Sequence, residues 1–295
     1  MSATLAVKAT KTNTNMIDLI LEPLQYPFIV RGLLAAVMVG TICAVVGTYV
    51  VLRGMAFFGD ALAHSILPGV AVGYLVGGGA RGPLFWWAML AAVFAAVGIG
   101  VISRGTKIKE DTAIGIIFAG MFALGVALIS SVRGYSVDLA HFLFGDVLGV
   151  STGDLWLIAV FGGAIILTVL AFYKEFMLLS FDPLLAATLR LPARLLEFLL
   201  LILIAVAIVV SLQMVGIALM VAMLVTPAAT AFLLTQRLPV MMVLAATIAA
   251  VSGIVGLFLS YYLSIASGAA IVLTCTAIFG LVWFILTLRK RLSAP

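Results

Sequence analysis

Asp60 and His64 lie four residues apart, in a stretch that joins two long apolar runs of the sequence. On an α-helix, side chains at positions i and i+4 lie one above the other on the same face. A carboxylate oxygen and an imidazole nitrogen suit first-row divalent cations such as Mn²⁺, Fe²⁺ or Zn²⁺. Two ligands make a weak site, which favours a cation that binds briefly and leaves again. The spacing therefore predicts a transient metal site at Asp60 and His64.

The same pair has a purely structural alternative. Asp60 follows Gly59 and could cap the N-terminus of a helix, with His64 packed one turn further along. However, ionisable groups inside apolar spans are costly and usually face a bundle interior or a water-filled cavity. A twofold dimer would bring two acids and two histidines together there, and protonation of His64 would remove it as a ligand. Pro68 and Gly69 can open the helix one turn later, which makes them a candidate pore kink.

The composition indicates a membrane protein. Of the 295 residues, 65% are hydrophobic and 9% are charged, whereas a soluble domain has about 45–50% apolar and roughly 25% charged residues. The formal net charge of +5 does not indicate nucleic-acid binding, because the basic residues lie mostly singly in short loops. Basic loops are typical of the cytoplasmic side of a membrane protein. We therefore expect a multi-pass protein of the cell membrane, surrounded by lipid bilayer and without a nucleic-acid partner.

The apolar runs predict an all-α polytopic membrane helix bundle. A span needs about 20 residues to cross roughly 30 Å of hydrocarbon. About nine transmembrane helices are expected, at residues 28–52, 60–77, 84–103, 112–131, 154–173, 194–212, 214–235, 239–262 and 268–288. Small residues predict close helix packing at Gly40, Gly47, Gly253 and Gly256.

The predicted number of spans depends on the seventh span, residues 214–235. Gln213 barely separates it from the sixth span, so a total of eight stays open. Met214 to Gly216 and Thr226-Pro227 interrupt it. Because a proline removes one helical hydrogen bond, Pro227 is a further candidate pore kink.

The other segments flank this single membrane domain of residues 28–288. Residues 1–15 are polar and predict a disordered tail. Residues 16–27 mix apolar and acidic residues with two prolines, which favours an interfacial segment over a span. The basic run at 289–291 predicts a cytoplasmic tail over residues 289–295. Residues 132–153 are expected to form an outer loop or a short helix over the pore mouth.

A short helix is predicted within the cytoplasmic loop at 174–193. Asp182 is its candidate N-cap, and Pro183 suits the first helical position. A helix of about two turns is unstable alone in water, so it should pack on its own bundle or on a cytoplasmic partner. The sequence holds no phosphate-binding loop and no zinc-protease or serine-hydrolase motif. The chain is therefore not expected to be an enzyme, and any ATP hydrolysis would belong to another chain.

The run Gly-Asp-Ala-Leu-Ala-His-Ser-Ile-Leu-Pro-Gly at 59–69 resembles the signature of the metal-ion ABC transporter permeases. The resemblance covers residues 28–288 and includes Phe-Leu-Phe-Gly-Asp at 142–146 and Leu-Val-Thr-Pro-Ala-Ala at 224–229. It implies a fold like that of type II ABC importer permeases and a function as the membrane subunit of a metal importer. The implied partners are a second copy of the chain (a homodimer), two cytoplasmic ATP-binding subunits and an extracellular metal-binding protein.

The resemblance also implies roles for particular residues. Asp60 and His64 match metal-coordinating positions, and residues 181–190 match the coupling helix that docks on the ATPase. The matching residues of that helix are Phe181, Asp182, Pro183, Leu184, Ala186, Leu189 and Arg190. Leu184 stands where an acid is common in the family, and Arg190 stands where glycine is common.

Manganese is the expected substrate, because Leu67-Pro68-Gly69 resembles the manganese and iron branch of the family more than the zinc branch. Zinc and iron are the alternatives, and no permanently bound cofactor is expected. A secondary, ion-coupled transporter is a rival hypothesis, although such a carrier would not need a docking helix. An intramembrane metal enzyme would need a nucleophile near His64. Ser65 is the only neighbour of that kind, and it points about 100° away on an ideal helix.

Overall fold

The computed structural model describes residues 21–78, 81–106, 108–131, 147–181, 183–189 and 191–292. These residues form an all-α bundle, which confirms the predicted fold class. The helices are α1 (Pro27–Leu52), α2 (Phe58–Ser65), α3 (Leu67–Gly77), α4 (Arg81–Gly105), α5 (Glu110–Ser130), α6 (Thr152–Ala171), α7 (Tyr173–Phe181), α8 (Pro183–Thr188), α9 (Ala193–Leu234), α10 (Leu238–Leu263) and α11 (Ser267–Leu292). A 3₁₀ turn at Val147–Gly149 precedes α6.

Several predicted features lie outside the described residues. They are the tail at 1–15, residues 16–20 of the interfacial segment, most of the outer loop (132–146), Asp182, Arg190 and residues 293–295. Within the interfacial segment, residues 21–24 are helical and lead through a turn into α1. The location of this segment at a membrane surface stays a prediction.

Eight helices in the described part of the chain are long and apolar enough to cross a membrane, whereas the sequence predicted about nine spans. The difference comes from α9, which joins the predicted spans 194–212 and 214–235 into one element of 42 residues. At about 1.5 Å per residue, 42 residues in one straight helix would extend roughly 63 Å, about twice the hydrocarbon thickness of a bilayer. The helix is interrupted at Gly216, whose φ of 78° and ψ of 170° are not helical. Glycine adopts this conformation readily because it has no Cβ.

The first half of α9 runs the length of the bundle. Near its start, Glu197 forms ion pairs with Arg53, which directly follows α1, and with Arg104, which lies at the end of α4. Gln213, just before the break, lines a cavity together with Gly82 in the first turn of α4. Because α4 spans the bundle, Glu197 and Gln213 lie at opposite ends of it.

The second half of α9 returns to the end at which the first half began. Beyond Gly216, Leu224 lies against Gly47 and Gly59, which flank the end of α1 and the start of α2. The two halves of α9 are therefore two passes, as predicted, but the break lies at Gly216 and not at Gln213.

Close backbone approaches hold α1, α9, α10 and α11 together. Gly40 of α1 approaches α10, and Gly47 of α1 approaches the backbone of α9. Gly253 of α10 approaches α1, and Gly256 approaches the backbone of α11. A side chain at any of these positions would meet the neighbouring helix, so small residues are what permits the contact. The predicted packing role of these glycines is confirmed.

The segment between α6 and α9 differs from the prediction. Residues 174–181, expected in a loop, belong to α7, which is stabilised because Phe176 and Leu179 are buried against the bundle. The predicted coupling helix at 181–190 is shorter, since α8 spans Pro183–Thr188. Phe181 therefore ends α7, and Leu189 lies in the turn after α8.

Candidate metal site

A sharp turn after α1 positions Asp60 and His64. Gly54 has a φ of 69° in this turn, a left-handed conformation that suits glycine. Met55 is buried, and its N–H donates to the carbonyl oxygen of Val50 at 2.9 Å. These contacts fix the start of α2, which carries Asp60 in its first turn and His64 in its last.

Asp60 and His64 point toward each other across one helical turn. His64 Nε2 lies 3.7 Å from Asp60 Oδ1, which is too long for a hydrogen bond. The His64 side chain is 26% exposed and that of Asp60 is 39% exposed. The N-cap of α2 is Phe57, and no side chain caps this helix, so the capping alternative for Asp60 is wrong. Both groups are therefore accessible and close enough to contact one ion.

One accessible stripe runs along α2 and α3. Between Phe58 and Gly69, all residues are buried except Asp60, His64 and Leu67. A spacing of three or four residues places the accessible positions on one helical face. The accessible residues of this stripe are Phe57, Asp60, His64, Leu67, Val70 and Tyr74.

Aromatic rings of α5 flank the histidine. The imidazole of His64 lies 6.1 Å from the ring of Phe118 and 6.0 Å from that of Phe122, centroid to centroid, and both contacts are edge-on. Phe57 packs edge-on against Phe118 at 6.0 Å. Phe118 and Phe122 were not predicted as part of the site. Their spacing of four residues places them on one face of a helix, which could have been recognised from the sequence.

The described residues contain no group of three or more His, Cys, Asp or Glu side chains that could hold a metal ion. Asp60 and His64 therefore offer two side-chain ligands within one chain. Ser65 is buried, and its Oγ donates to the carbonyl oxygen of Ala61 at 2.7 Å. Because this hydroxyl is buried and donates to the backbone, Ser65 is a poor candidate for the nucleophile that an intramembrane enzyme would need.

The three candidate kink residues differ in their surroundings. Pro68 is the second residue of α3, directly after the break between α2 and α3 at Ile66. Gly69 packs on the backbone of Trp87 in α4. Pro227 lies inside the second half of α9, where the non-helical residue is Gly216. At the α2–α3 junction Ile66 keeps a helical φ of −78° and ψ of −12°, whereas the interruption of α9 comes from Gly216.

Four charged side chains form a second polar centre, here called the ionic cluster. Arg53 Nη2 donates to Glu110 Oε1 at 2.9 Å and to Glu197 Oε1 at 2.7 Å. Arg104 forms an ion pair with the other carboxylate oxygen of Glu197. The side chains of Arg53 and Glu197 are 11% and 7% exposed. The cluster joins the end of α1, the end of α4, the start of α5 and the start of α9.

The sequence reasoning treated Arg53 and Arg104 as loop charges and missed the two acids. Glu197 could have been recognised from the sequence, because it is the only charged residue between Arg194 and Arg237, and a charge inside an apolar span is costly. Burial lowers the pKa of the Arg53 guanidinium, and the Glu110 carboxylate opposes this shift. Arginine remains protonated even so, and the two carboxylates balance its charge.

The segment around α8 presents apolar side chains. Phe181, Leu185 and Leu189 are exposed, while Ala186 is buried. Exposed apolar side chains on so short a helix indicate a surface that another element or chain covers. Pro183 starts α8, and Leu184 follows it.

Comparison with known proteins gives consistent matches. The family described as the ABC 3 transport family matches residues 25–286. The manganese transport system membrane protein MntC of Halalkalibacterium halodurans is 45% identical over 261 residues, which cover 88% of each chain. The probable iron transport system membrane protein of Haemophilus influenzae is 40% identical, over 90% of this chain and 96% of its own. The structure of PsaBC from Streptococcus pneumoniae in complex with Fab matches with a TM-score of 0.78 and 38% identity, over 92% of this chain and 96% of the other.

The helix bundle and its apolar spans define a multi-pass membrane component of a transporter. The chain belongs to the ABC 3 transport family. It is the membrane permease subunit of an ABC transporter, and not the ATPase. The predicted family, fold class and non-enzymatic role are confirmed.

Proposed function

We propose that this permease carries a divalent transition metal ion, manganese in the first place, into the cell. The ion passes Asp60 and His64 at the axis of a homodimer of the chain. Two cytoplasmic ATP-binding subunits power the passage, and an extracellular metal-binding protein delivers the ion. The observation that carries the proposal is the accessible Asp60–His64 pair, 3.7 Å apart on α2.

The accessible stripe on α2 and α3 supports a shared, water-filled path. A carboxylate facing lipid at this depth would be costly, so the stripe should face water or a second copy of the chain. In a twofold dimer the same patch of both subunits meets at the axis. Two ligands from each subunit would then make a set of four. A single subunit would hold the ion only weakly, which allows release after entry.

The donor set favours manganese or iron over zinc. Carboxylate oxygen suits Mn²⁺, imidazole also suits Fe²⁺ and Zn²⁺, and thiolates favour zinc. Neither cysteine of the chain lies at this site, because Cys43 contacts Ser211 at 3.2 Å and Cys275 is buried in α11. The names of two relatives, one for manganese and one for iron, point the same way.

Coupling to ATP hydrolysis would occur through the segment around α8. Its exposed side chains, Phe181, Leu185 and Leu189, offer an apolar surface to the ATP-binding subunit. Movement of α8 would then shift α9, which follows it after a short connection. The dimer would alternate between outward-open and inward-open states around the fixed metal pair.

The proposal predicts that the double variant Asp60→Ala, His64→Ala does not transport manganese. Uptake into proteoliposomes containing the permease and its ATPase should fall at least about a hundredfold, since even outer-shell ligand partners contribute 10–100-fold. Assembly should be intact, because both side chains are partly exposed and such substitutions change stability by about 0.5 kcal/mol or less. Asp111→Ala, which removes an exposed acid from the first turn of α5, is the matched control and should transport normally.

Normal manganese uptake by the double variant would overturn the assignment of the site. Competition by Fe²⁺ and Zn²⁺ in the same assay ranks the three candidate substrates. Uptake by the chain alone, driven by an ion gradient without an ATPase, would support the secondary-transporter hypothesis instead.

A further inference from the structure

Glu197 is a buried carboxylate that the proposed path of the ion does not use. Its two oxygens are directed at two different arginines, Arg53 through Oε1 and Arg104 through Oε2. Arg194, one turn earlier on α9, adds a further positive charge that acts on Arg104. Glu197 therefore balances positive charge from two arginines that belong to different parts of the chain.

The chain positions of these partners connect the docking segment with the metal pair. Glu197 lies in the first turns of α9, a few residues after α8. Arg53 directly follows α1 and precedes the turn that starts α2, which carries the metal pair.

We propose that Glu197 is the positioning residue that couples movement of α8 to the helices of the metal site. Its bond to Arg53 makes the start of α9 and the turn before α2 move together. The inference rests on the proposed function, because coupling is defined only for a transporter driven by ATP. It goes beyond that function by naming the internal connection through which the docking segment acts.

Stability alone does not explain this arrangement. Replacing a buried ion pair by packed apolar residues is often neutral or favourable, so buried pairs are weak contributors to net stability. Their best-attested use is to fix one arrangement of packed elements against another. Packed elements shift between discrete arrangements and do not deform continuously. A short ionic bond between α9 and the α1–α2 turn makes those shifts occur jointly.

The test compares Glu197→Gln with Glu110→Gln in the assembled permease–ATPase complex. Both variants neutralise an acid that accepts a hydrogen bond from Arg53, so their chemistry is matched. Only Glu197 belongs to the helix that follows α8. We expect Glu197→Gln to lower manganese uptake per ATP hydrolysed by at least about fivefold, the lower bound of ordinary coupling between two sites. Glu110→Gln should change this ratio by less than about twofold, because it leaves the α1–α9 bond in place.

Manganese binding to the assembled complex separates this inference from the proposed function. Glu197→Gln should bind Mn²⁺ as the unaltered protein does, whereas the Asp60 and His64 variants should not. An unaltered ratio of uptake to hydrolysis in Glu197→Gln overturns the coupling role. Equal loss of coupling in both variants overturns it too, because the effect would then be general to the cluster.

A second variant keeps the test valid if Glu197→Gln does not assemble. Glu197→Asp keeps the charge but is one methylene shorter, so it cannot reach both arginines at once. We expect a partial loss, about two- to fivefold in uptake per ATP, with normal assembly. Unaltered coupling in an assembled Glu197→Asp variant would contradict the proposal. Absence of manganese uptake in the unaltered protein would instead contradict the proposed function.

Discussion

The metal pair lies on α2, and Arg53 of the ionic cluster lies just before the turn that leads into α2, yet the charges of the two centres have different surroundings. Asp60 and His64 are partly exposed, 3.7 Å apart, and have no third acid, histidine or cysteine within the described residues. Arg53 and Glu197 are buried and joined by bonds of 2.7–2.9 Å to charged partners. A pair without a third charged partner can accept and release an ion, whereas charges that are paired with one another hold helices together. The difference shows that partner number, and not residue type, decides what a charged group does here.

The largest effect is expected when the ionic cluster loses Arg53, the cation that contacts both of its acids. Arg53→Ala leaves Glu110 and Glu197 without this partner, and breaking a buried pair costs about 3–5 kcal/mol. The thermal unfolding midpoint of the purified protein in detergent should fall strongly. Arg53→Lys is the control: it keeps a positive charge beside the two carboxylates that Arg53 Nη2 contacts, so its loss of stability should be smaller. An Arg53→Ala variant as stable as Asp60→Ala would contradict the contrast between the two centres.

An intermediate effect is expected from the rings that flank the metal pair. Phe122→Ala removes one of the two edge-on contacts to His64, and such contacts are worth about 0.5–1.5 kcal/mol. The imidazole becomes less well oriented, so the concentration of manganese giving half-maximal uptake should rise about two- to tenfold. Phe94→Ala, an outward-facing ring on α4 that is 69% exposed, should leave this concentration unchanged. An equal rise in both variants would show that the effect does not arise at His64.

The smallest effect is expected from ionic strength. The metal pair is accessible to solvent, so its attraction for a cation should be screened when salt is raised from about 0.1 M to 1 M. Manganese binding should weaken about 1.4- to fivefold, the range equivalent to roughly 0.2–1 kcal/mol for exposed charges. The buried cluster is screened much less. A salt-dependent unfolding midpoint with salt-independent manganese binding would reverse this expectation.

Local features of the chain were predictable because they depend on near neighbours in sequence. The i, i+4 spacing brought Asp60 and His64 together on α2, as expected for any helix. The glycines at 40 and 47 were expected at helix contacts, and they lie there. The interruption at Met214–Gly216 could be predicted from the sequence, because glycine tolerates a non-helical backbone.

Other features were not predictable, because they depend on contacts between distant segments. Arg53 and Glu197 are 144 residues apart in sequence, and only the packing of the start of α9 beside the end of α1 brings them together. Residues 174–181 form α7 and not a loop, because burial of Phe176 against the bundle offsets a weak local preference. The rings of α5 flank His64 for the same reason, since no local rule pairs α2 with α5.

The sequence by itself determined that this protein is a helical membrane permease with an acid and a histidine on one helical face. Apolar length and i, i+4 spacing are properties of short segments, and a lipid environment leaves the backbone of such segments little alternative to helix. Only the tertiary structure decided which charged side chains are paired with one another and which remain accessible to an ion. Pairing depends on the distances between helices that are remote in sequence, and packing of the whole bundle sets those distances.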